Sequence, residues 1–485
     1  MNDRNDARVL VIGGGVAGLV VALDLAGAGL HPIVLEAGEN CGGVLSSHRV
    51  AGLTLDAGAE SFATGRPAVG ELLTRLGLTD RITEPNPVGA WVRFVGGAAP
   101  LPATSLLGIP GHPTAPDVRR VIGLPGVLRC RADALLPARI GARDGTSLGS
   151  LVRTRMGSRV LERLVEPVAG GVYATDPAEL EVASISPGLP QALLDTGSLA
   201  GAARRLRGGG QRAGSAVATV SGGLHTMVAS LVEAVESAGG QIRTGQSVDR
   251  LVRDGADWRV DGRDGSLTAS RAVLALPAPA ARDLLATAVP DASTGVLQAP
   301  ITRVAIVTLV IDDPRLNSAP RGTGVLVAAG VDGVRAKALT HATAKWPWLA
   351  ELAGPGRHVL RLSYGRGDGA DIPTGDELWA AALADAGDLL GVDLRPGSVV
   401  DRAVVQWPSA LSAARPGHAD AVHRLRAELG PTGLFVVGGA VAGSGLASVV
   451  TDAHTQAARL IDPSGPGVAG IAPSSVQGDP GLPSG

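Results

Sequence analysis

The chain has 485 residues, 45% of them hydrophobic and 18% charged, with a formal net charge of -2. These values predict a globular protein of two or three domains and argue against nucleic acid as a partner. No apolar run is long enough for a membrane-spanning helix. The two cysteines lack the spacing of a disulfide framework or a zinc site. We therefore expect a cytoplasmic protein that holds no metal and has at most peripheral membrane contact.

The first predicted elements surround a glycine-rich turn. Residues 9–12 are purely apolar and predict a buried strand, and the Ala- and Leu-rich residues 19–28 predict a helix. A turn of this kind can place a helix N-terminus, with its N–H donors, against a pyrophosphate. The turn consists of Gly13, Gly14, Gly15, Val16, Ala17 and Gly18. Its G-x-G-x-x-G spacing between strand and helix predicts a dinucleotide site.

A second strand and an acidic residue complete this unit. Residues 33–35 predict another buried strand, and Glu36 stands at its end, 18 residues after Gly18. A carboxylate in this position can accept hydrogen bonds from ribose hydroxyls, whereas a 2′-phosphate calls for Arg. NADP is therefore disfavoured, and NAD and FAD stay open at this point.

The continuation of the chain distinguishes these two cofactors. Ala37 follows Glu36, the turn Gly42-Gly43-Val44 comes next, and residues 56–62 read DAGAESF. This pattern resembles the glutathione-reductase-like FAD oxidoreductases, and the resemblance implies FAD. Cys41 lies inside the loop and raises the alternative of a covalent flavin, which we disfavour because that family places its flavin thioether near the C-terminus.

The middle of the chain is less regular. We predict helices over residues 66–78 and 148–168, the latter closing on Glu166-Pro167, and expect an exposed loop at 208–212. The pattern over 84–145 is rich in Pro and Gly, and its periodicity is poor. A helix over 224–238 follows, with strands to residue 277 that we expect to complete one sheet. Residues 300–410 then predict a second sheet with one helix near 376–390.

The last glycine element repeats the first. Residues 434–437 predict a strand, glycines follow, and residues 447–460 predict a helix. Beyond residue 461 the composition predicts disorder. We expect an α/β protein with a glutathione-reductase-like FAD-binding Rossmann fold, a discontinuous α+β substrate domain and a helical insertion. The expected order is a first FAD-binding segment (1–83), a helical, membrane-like substrate insertion (84–215), a second FAD-binding segment (216–298), the substrate domain (299–410), a third FAD-binding segment (411–462) and a disordered tail (463–485).

Four short motifs in the later portion of the chain resemble one enzyme family. They are residues 166–180, the triplet Lys345-Trp346-Pro347, residues 405–407 and residues 415–418. With the first glycine turn they follow the order found in the HemY-type porphyrinogen oxidases, FAD enzymes of haem synthesis. The resemblance implies a six-electron, O2-dependent oxidation of a porphyrinogen. Coproporphyrinogen III is the preferred substrate, protoporphyrinogen IX is the alternative, and a haem-pathway ferrochelatase is a possible recipient of the product.

The resemblance also implies site residues. Those expected at FAD are Gly13 to Gly18, Glu36, Ala37, Gly43, Val44, Gly58, Ala59, Glu60, Ser61, Val248, Trp407, Ser444, Gly445 and Leu446. Gly170 and Gly171 are expected beside the macrocycle, with the alternative that they only end the preceding helix. Arg66 is expected to hold a substrate propionate, with the alternative that it is solvated and that Arg119, Arg120 or Arg335 takes this role.

Hydride removal from a bridging carbon depends on holding the substrate in line with the flavin more than on an acid or a base. The sequence shows no persuasive catalytic group of His, Asp and Glu residues, and a reaction of this kind does not require one.

Two alternatives for the function stay open. A flavin amine oxidase or carotenoid-type desaturase would use the same fold, although the scarcity of tyrosines is atypical of an amine oxidase. A non-catalytic nucleotide-binding regulator would retain the first glycine turn alone.

Overall fold

The computed structural model describes residues 8–143, 145–173, 175–207, 216–298, 302–366, 372–411, 417–443 and 445–462. The loop predicted at 208–212 lies outside them, as do Ser444 and the tail predicted at 463–485. The strands are β1 (Arg8–Ile12), β2 (His31–Leu35), β3 (Ser47–Val50), β4 (Leu53–Asp56), β5 (Phe62–Ala63), β6 (Ile82–Thr83), β7 (Trp91–Phe94), β8 (Gly97–Pro100), β9 (Ser105–Leu106), β10 (Ile109–Pro110), β11 (Val217–Val220), β12 (Gln241–Arg243), β13 (Val248–Asp254), β14 (Asp257–Gly262), β15 (Gly265–Ala269), β16 (Arg271–Leu274), β17 (Thr302–Asp312), β18 (Gly324–Val327), β19 (Ala338–His341), β20 (Arg357–Tyr364), β21 (Val399–Leu411) and β22 (Leu434–Val436).

Helices connect and cover these strands. They are α1 (Val16–Gly27), α2 (Ala68–Arg75), α3 (Pro116–Arg131), α4 (Leu148–Met156), α5 (Ser158–Val160), α6 (Glu166–Tyr173), α7 (Val182–Ile185), α8 (Leu189–Thr196), α9 (Leu199–Arg207), α10 (Thr226–Ser237), α11 (Ala278–Ala288), α12 (Ala342–Lys345), α13 (Pro347–Ala353), α14 (Gly375–Leu390), α15 (His418–Leu429), α16 (Gly439–Ala442) and α17 (Leu446–Ile461). A π-helical turn spans Leu161–Val165. Single 3-10 turns cover Gly43–Leu45, Thr79–Arg81, Ala132–Leu135, Pro177–Glu179, Thr294–Gln298, Pro314–Ser318, Pro396–Ser398 and Gly430–Thr432.

A five-stranded parallel sheet carries the first glycine turn. Its strand order is β12-β2-β1-β16-β22, so three separate segments of the chain contribute to it. The apolar residues of β1 are fully buried because α1, α10 and α17 cover one face and α11 and α15 the other. The predicted α/β fold class is confirmed. The domain boundaries stay a prediction.

The sequence predicts that the strands from 248 to 274 complete one sheet, and this prediction is wrong. β13, β14 and β15 form a separate antiparallel sheet, and only β16 joins the parallel one. Trp258 of β14 is buried between the two, and its indole N–H donates to the Thr432 carbonyl at 2.8 Å. Alternating apolar residues predicted each strand but contain no information on which neighbour it pairs with.

The second large sheet has seven strands in the order β21-β17-β20-β19-β18-β7-β8. β7 pairs in parallel with β18, and the other neighbours are antiparallel. β7 and β8 come from the stretch that we assigned to the helical insertion. Helix α14 packs Leu378, Ala382 and Leu389 against one face of the sheet. The opposite face is turned toward the strands and loops that follow the first glycine turn.

Helices α3 to α9 form a third packed body with its own core. Gly123 (φ 69°) and Pro125 interrupt α3, so its apolar pattern is broken and the sequence did not reveal it. Arg155 is fully buried here, and its Nε donates to the Asp133 carboxylate at 2.5 Å. Pro167 does not close the helix predicted at 148–168, because it lies in the first turn of α6, where a missing N–H is tolerated.

Helix α17 returns the end of the chain to α1. The ring nitrogen Nδ1 of His454 lies 2.5 Å from the Asp24 carboxylate of α1, and Arg75 contacts the other oxygen of the same carboxylate. His454 therefore helps to hold α17 against α1. No helix in the described ranges is both long and apolar enough to cross a membrane.

Candidate active site

The three motif glycines are required for different reasons. Gly13 has φ +108°, and a Cβ there would lie 2.4 Å from the Ala275 carbonyl oxygen. A Cβ on Gly18 would lie 2.1 Å from the Gly13 carbonyl oxygen, so helix and turn could not meet. A Cβ on Gly15 would meet no atom within 4 Å. Packing thus explains Gly13 and Gly18, whereas the space beside Gly15 is open.

This open space lies at the N-terminus of α1 and fits a pyrophosphate. Gly15 precedes the helix in an extended conformation and provides no side-chain cap. The first-turn N–H groups, among them those of Val16, Ala17 and Gly18, have no acceptor within the helix. The positive end of the helix dipole therefore points into the open space beside Gly15. The turn therefore offers what a dinucleotide phosphate needs, without a side chain in the way.

Glu36 closes the other side of the turn. Its two carboxylate oxygens accept hydrogen bonds from the Gly14 and Gly38 N–H groups, each at 2.8 Å. Its backbone is fixed because its N–H donates to the Arg243 carbonyl at 2.9 Å. Ala37 follows and is exposed. The carboxylate is held at the end of β2 beside the glycine turn, where a nucleotide ribose would lie.

Gly43, Val44 and Gly58 form a second wall next to Gly15. The Gly42 N–H donates to the Gly14 carbonyl at 2.9 Å, and a Cβ on Gly43 would lie 3.5 Å from the Gly15 Cα. Val44 is 40% exposed although its neighbour Leu45 is buried. A Cβ on Gly58 would lie 2.3 Å from the Val44 carbonyl oxygen, so only glycine fits there. These residues come together at the open side of the turn, and their contact with FAD stays a prediction.

Trp407 and Ala59 extend the same wall. The Trp407 indole N–H donates to the Ala57 carbonyl at 3.4 Å, and its ring edge would lie 3.0 Å from a Cβ on Gly58. The Ala59 N–H donates to the Val44 carbonyl at 2.9 Å. β21, which carries Trp407, therefore connects the seven-stranded sheet to the glycine loops.

Glu60 is held between two cations. Its carboxylate accepts from the Lys345 ammonium at 2.7 Å and from the Arg361 guanidinium at 2.6 Å. Arg361 also donates to the Gly58 carbonyl at 2.7 Å. Burial alone would raise the pKa of Glu60, but the two cations outweigh it and lower the pKa to about 2. The Glu60 carboxylate thereby anchors the Gly58 loop through Arg361, and the contact of Glu60 with FAD stays a prediction.

The remaining predicted cofactor residues lie at the ends of elements. Ser61 follows Glu60 directly and is half-buried. Val248 begins β13 and pairs with Gly262. Gly445 precedes α17 in an extended conformation, and Leu446 is the first residue of that helix. Ser444 lies outside the described residues. Their role in binding FAD stays a prediction.

Cys41 lies close to Gly14, because a Cβ on Gly14 would be 2.7 Å from the Cys41 sulfur. Burial, together with the negative charges of Glu36 and Glu236, raises the pKa of its thiol to about 11. The thiol therefore stays protonated at neutral pH and is a weak nucleophile. This argues against a covalent bond to flavin at Cys41.

Gly170 and Gly171 lie within α6 and do not end a helix, so that alternative is wrong. A Cβ on Gly170 would lie 3.8 Å from Nη1 of Arg366, and one on Gly171 would lie 2.6 Å from the Leu326 side chain. The pair therefore lets α6 approach the end of β18. A side chain at position 171 would have to displace the terminal methyl group of Leu326, whereas Gly170 has ordinary space toward Arg366.

Arg66 is exposed, and its guanidinium donates to the Ser448 hydroxyl of α17 at 2.8 Å. This contact near the start of α17 brings Arg66 to the second glycine element and not to α6. Arg335 is paired with Glu377 at 2.5 Å, and Arg119 and Arg120 are exposed on α3. Among the four arginines considered, Arg66 is the one that lies beside a predicted cofactor element.

Sequence reasoning did not identify Arg361, which fixes the Gly58 loop, or the pair Asp56 and His225. The Asp56 carboxylate accepts from the backbone N–H groups of Leu224 and His225 and contacts the His225 ring at 2.8 Å. It thereby ties the end of β4 to the turn before α10. These partners lie 168 or more residues apart. The sequence signal for this cluster was the triplet Lys345-Trp346-Pro347, which contains one of the two lysines in an Arg-rich chain.

The parallel sheet, the glycine turn with open space at Gly15, the acid after β2 and the second glycine wall define a dinucleotide-binding flavoprotein. The family model described as flavin containing amine oxidoreductase matches residues 16–461. The chain belongs to this family. It is therefore a flavin-dependent oxidoreductase, and FAD is its cofactor.

Two relatives and one solved structure are similar over nearly the whole chain. Coproporphyrinogen III oxidase of Mycobacterium leprae (strain TN) is 31% identical over 456 residues, which cover 91% of this chain and 96% of the relative. The chloroplastic protoporphyrinogen oxidase of Oryza sativa subsp. japonica is 27% identical over 499 residues, 95% of this chain and 89% of the relative. A crystal structure of a candidate protoporphyrinogen oxidase from Exiguobacterium sp. 255-15 superposes with a TM-score of 0.82 at 27% identity, covering 94% of this chain and 98% of the other.

Proposed function

We propose that this enzyme oxidises coproporphyrinogen III to coproporphyrin III with FAD as cofactor and O2 as the final electron acceptor. The observation that carries the proposal is the 31% identity with the Mycobacterium leprae coproporphyrinogen III oxidase across 91% of this chain. When bound, FAD accepts two electrons from a substrate carbon–hydrogen bond, and three such rounds convert a porphyrinogen to a porphyrin. Protoporphyrinogen IX is the second candidate, supported by the rice relative.

The residues of this chain would contribute binding and orientation. The α1 N-terminus and Glu36 would hold the dinucleotide half of FAD. The loop from Gly43 to Gly58, fixed by Trp407 and by the Glu60–Arg361 contact, would set the position of the flavin half. Such a site works by alignment and by exclusion of water more than by proton transfer.

The cleft would lie between the Gly58 loop and helix α6. Lys345 and Arg361 already have Glu60 as their counter-ion, so they are unsuited to holding a substrate carboxylate. Arg66, which contacts Ser448 of α17, is the cation that we propose for that task. For the compartment we propose a reducing cytoplasm, in keeping with two free cysteines. We also propose that the product passes to a haem-pathway ferrochelatase.

The test of the substrate is a comparison of initial rates. We expect the purified yellow protein to produce fluorescent porphyrin from coproporphyrinogen III, with consumption of O2, faster than from protoporphyrinogen IX. Both rates are measured by porphyrin fluorescence in the same preparation. A higher kcat/KM for protoporphyrinogen IX would reverse the choice, and turnover of amines without porphyrin formation would overturn the proposal.

Arg66→Ala should raise the KM for coproporphyrinogen III about tenfold. A charge-assisted contact to a propionate contributes roughly 1.5 to 3 kcal/mol, and about 1.4 kcal/mol corresponds to one decade in affinity. Flavin content should stay unchanged, as measured by absorbance. Ser448→Ala is the matched control, because it removes the present partner of Arg66 and keeps the charge. A KM within twofold of the parent would assign Arg66 to the solvated surface.

A further inference from the structure

The body formed by helices α3 to α9 carries three strongly exposed leucines close together. Leu124 is 63% exposed, Leu128 68% and Leu135 85%. The first two lie in the part of α3 that follows the interruption at Gly123, and Leu135 ends the 3-10 turn that continues this helix. A large apolar side chain gains free energy by leaving water, and an exposed apolar patch commonly marks an interaction site. Three such side chains on one short segment therefore call for an explanation.

The exposed leucines share one side of this segment with an arginine. The positions on this side are Leu124, Leu128, Arg131 and Leu135, and all four are exposed. They are spaced by four, three and four residues along the chain, and residues at these spacings lie on one face of a helix. The opposite side of the helix, which includes Cys130, is buried in the core of the body. The segment is therefore amphipathic in the usual way on its inner side but carries a leucine stripe on its outer side.

The exposed side chains around this stripe are either apolar or arginine. Residues 118–143 contain a single acid, Asp133, and it is buried. Their exposed residues are Arg119, Arg120, Leu124, Pro125, Leu128, Arg129, Arg131, Ala134, Leu135, Pro137, Arg139, Ile140 and Arg143. The formal net charge of the whole chain is -2, so this concentration of positive charge is local. The name Leu135 face is used below for Leu124, Leu128, Arg131, Leu135, Arg139 and Ile140.

A buried ion pair fixes this face from beneath. Nη1 of Arg155 donates to the carbonyls of Pro137 at 3.1 Å and Ile140 at 2.9 Å, in addition to the contact of its Nε with the Asp133 carboxylate. The other oxygen of that carboxylate accepts from the Ala200 N–H of α9 at 3.1 Å. Hydrogen bonds of this number offset the cost of burying the two charges. The turn that carries the exposed residues is therefore held rigidly, and their exposure is built into the fold.

We propose that the Leu135 face binds the surface of an anionic lipid bilayer. Its leucines and Ile140 would enter the boundary between headgroups and acyl chains, and Arg131 and Arg139 would contact lipid phosphates. Apolar and positively charged side chains without an exposed acid complement such a surface in both hydrophobicity and charge. A second copy of the chain fits this face poorly, because contact between two identical faces would bring arginine against arginine. The inference goes beyond the proposed function and does not depend on the substrate.

The test is co-sedimentation of the FAD-loaded protein with lipid vesicles at low salt. The parent should bind vesicles of phosphatidylcholine that contain about one quarter phosphatidylglycerol, and should bind pure phosphatidylcholine much more weakly. Added salt should weaken the binding, because it screens the arginines from the lipid phosphates. Arg131→Gln should lower the partition coefficient about fivefold. Leu128→Ser combined with Leu135→Ser should lower it about tenfold or more, because two apolar side chains then no longer leave water.

Leu352→Ser is the matched control, because Leu352 on α13 is 53% exposed and lies outside the Leu135 face. It should bind the vesicles as the parent does. All variants should keep the Tm and flavin content of the parent, since the side chains that change are exposed. A parent that binds both kinds of vesicle equally or binds neither, or a double leucine variant that binds as the parent does, would overturn the proposal. Sedimentation velocity without lipid gives a further check, because a parent dimer that the two leucine substitutions dissociate would assign the face to a second copy instead.

Discussion

Gly15→Val should yield a colourless protein. A Cβ on Gly15 would meet no protein atom within 4 Å, and its extended backbone suits any residue, so the turn itself should form. The isopropyl group would instead occupy the space before the first turn of α1, where a pyrophosphate must approach the N–H groups. We expect the ratio of flavin to protein to fall at least about tenfold after purification with excess FAD, measured by absorbance.

Gly397→Val provides the matched control for this experiment. Gly397 also has no atom within 4 Å of its Cβ position and lies in the short 3-10 turn Pro396–Ser398, away from the glycine loops. It should keep its full flavin content. Circular dichroism of both variants should equal that of the parent without cofactor. A Gly15→Val protein that is folded and fully yellow would refute the assignment of this turn.

The same glycine turn shows why some of the fold was predictable. The alternation of apolar strand, glycines and helix is local, and each glycine has a local cause: φ at Gly13, helix contact at Gly18 and open space at Gly15. Strand β1, helix α1 and the acid after β2 could therefore be predicted to within a few residues. Helix α3 could not, because Gly123 and Pro125 interrupt the periodicity on which such a prediction depends.

The pairing of strands that lie far apart in the chain could not be predicted from the sequence. β7 joins β18 across more than two hundred residues, and nothing in the sequence of Trp91–Phe94 specifies that partner. The same holds for ion pairs. Glu60 is predicted from the sequence as an FAD contact, whereas its ion-pair partners, Lys345 and Arg361, lie 285 and 301 residues away. A single sequence shows which residues can be charged partners and not which of them meet.

Glu60→Leu should destabilise the protein strongly. The side chains of Glu60, Lys345 and Arg361 are only 14%, 15% and 9% exposed, so the change leaves two cations in a poorly hydrated place. Removal of one partner from a buried ion pair typically costs about 3–5 kcal/mol. Arg361 also donates to the Gly58 carbonyl, so the loop at the flavin wall should loosen and flavin content should fall with Tm. Glu377→Leu, in an exposed pair with Arg335, is the control and should change stability by less than about 1 kcal/mol.

The pH dependence of unfolding tests the same triad. The pKa of Glu60 in the folded protein is lowered to about 2, below the value of about 4.3 for an unperturbed Glu in an unfolded chain. A carboxyl group with a lowered folded-state pKa contributes stability above its unfolded pKa and loses it as the pH falls toward the folded value. Denaturant titrations of the parent should therefore lose this contribution between about pH 4.3 and 2. Glu60→Gln, which cannot ionise, should show a stability deficit at pH 7 that shrinks over this interval. A deficit that stays constant down to pH 2 would mean that the charge of Glu60 does not hold Lys345 and Arg361 in place.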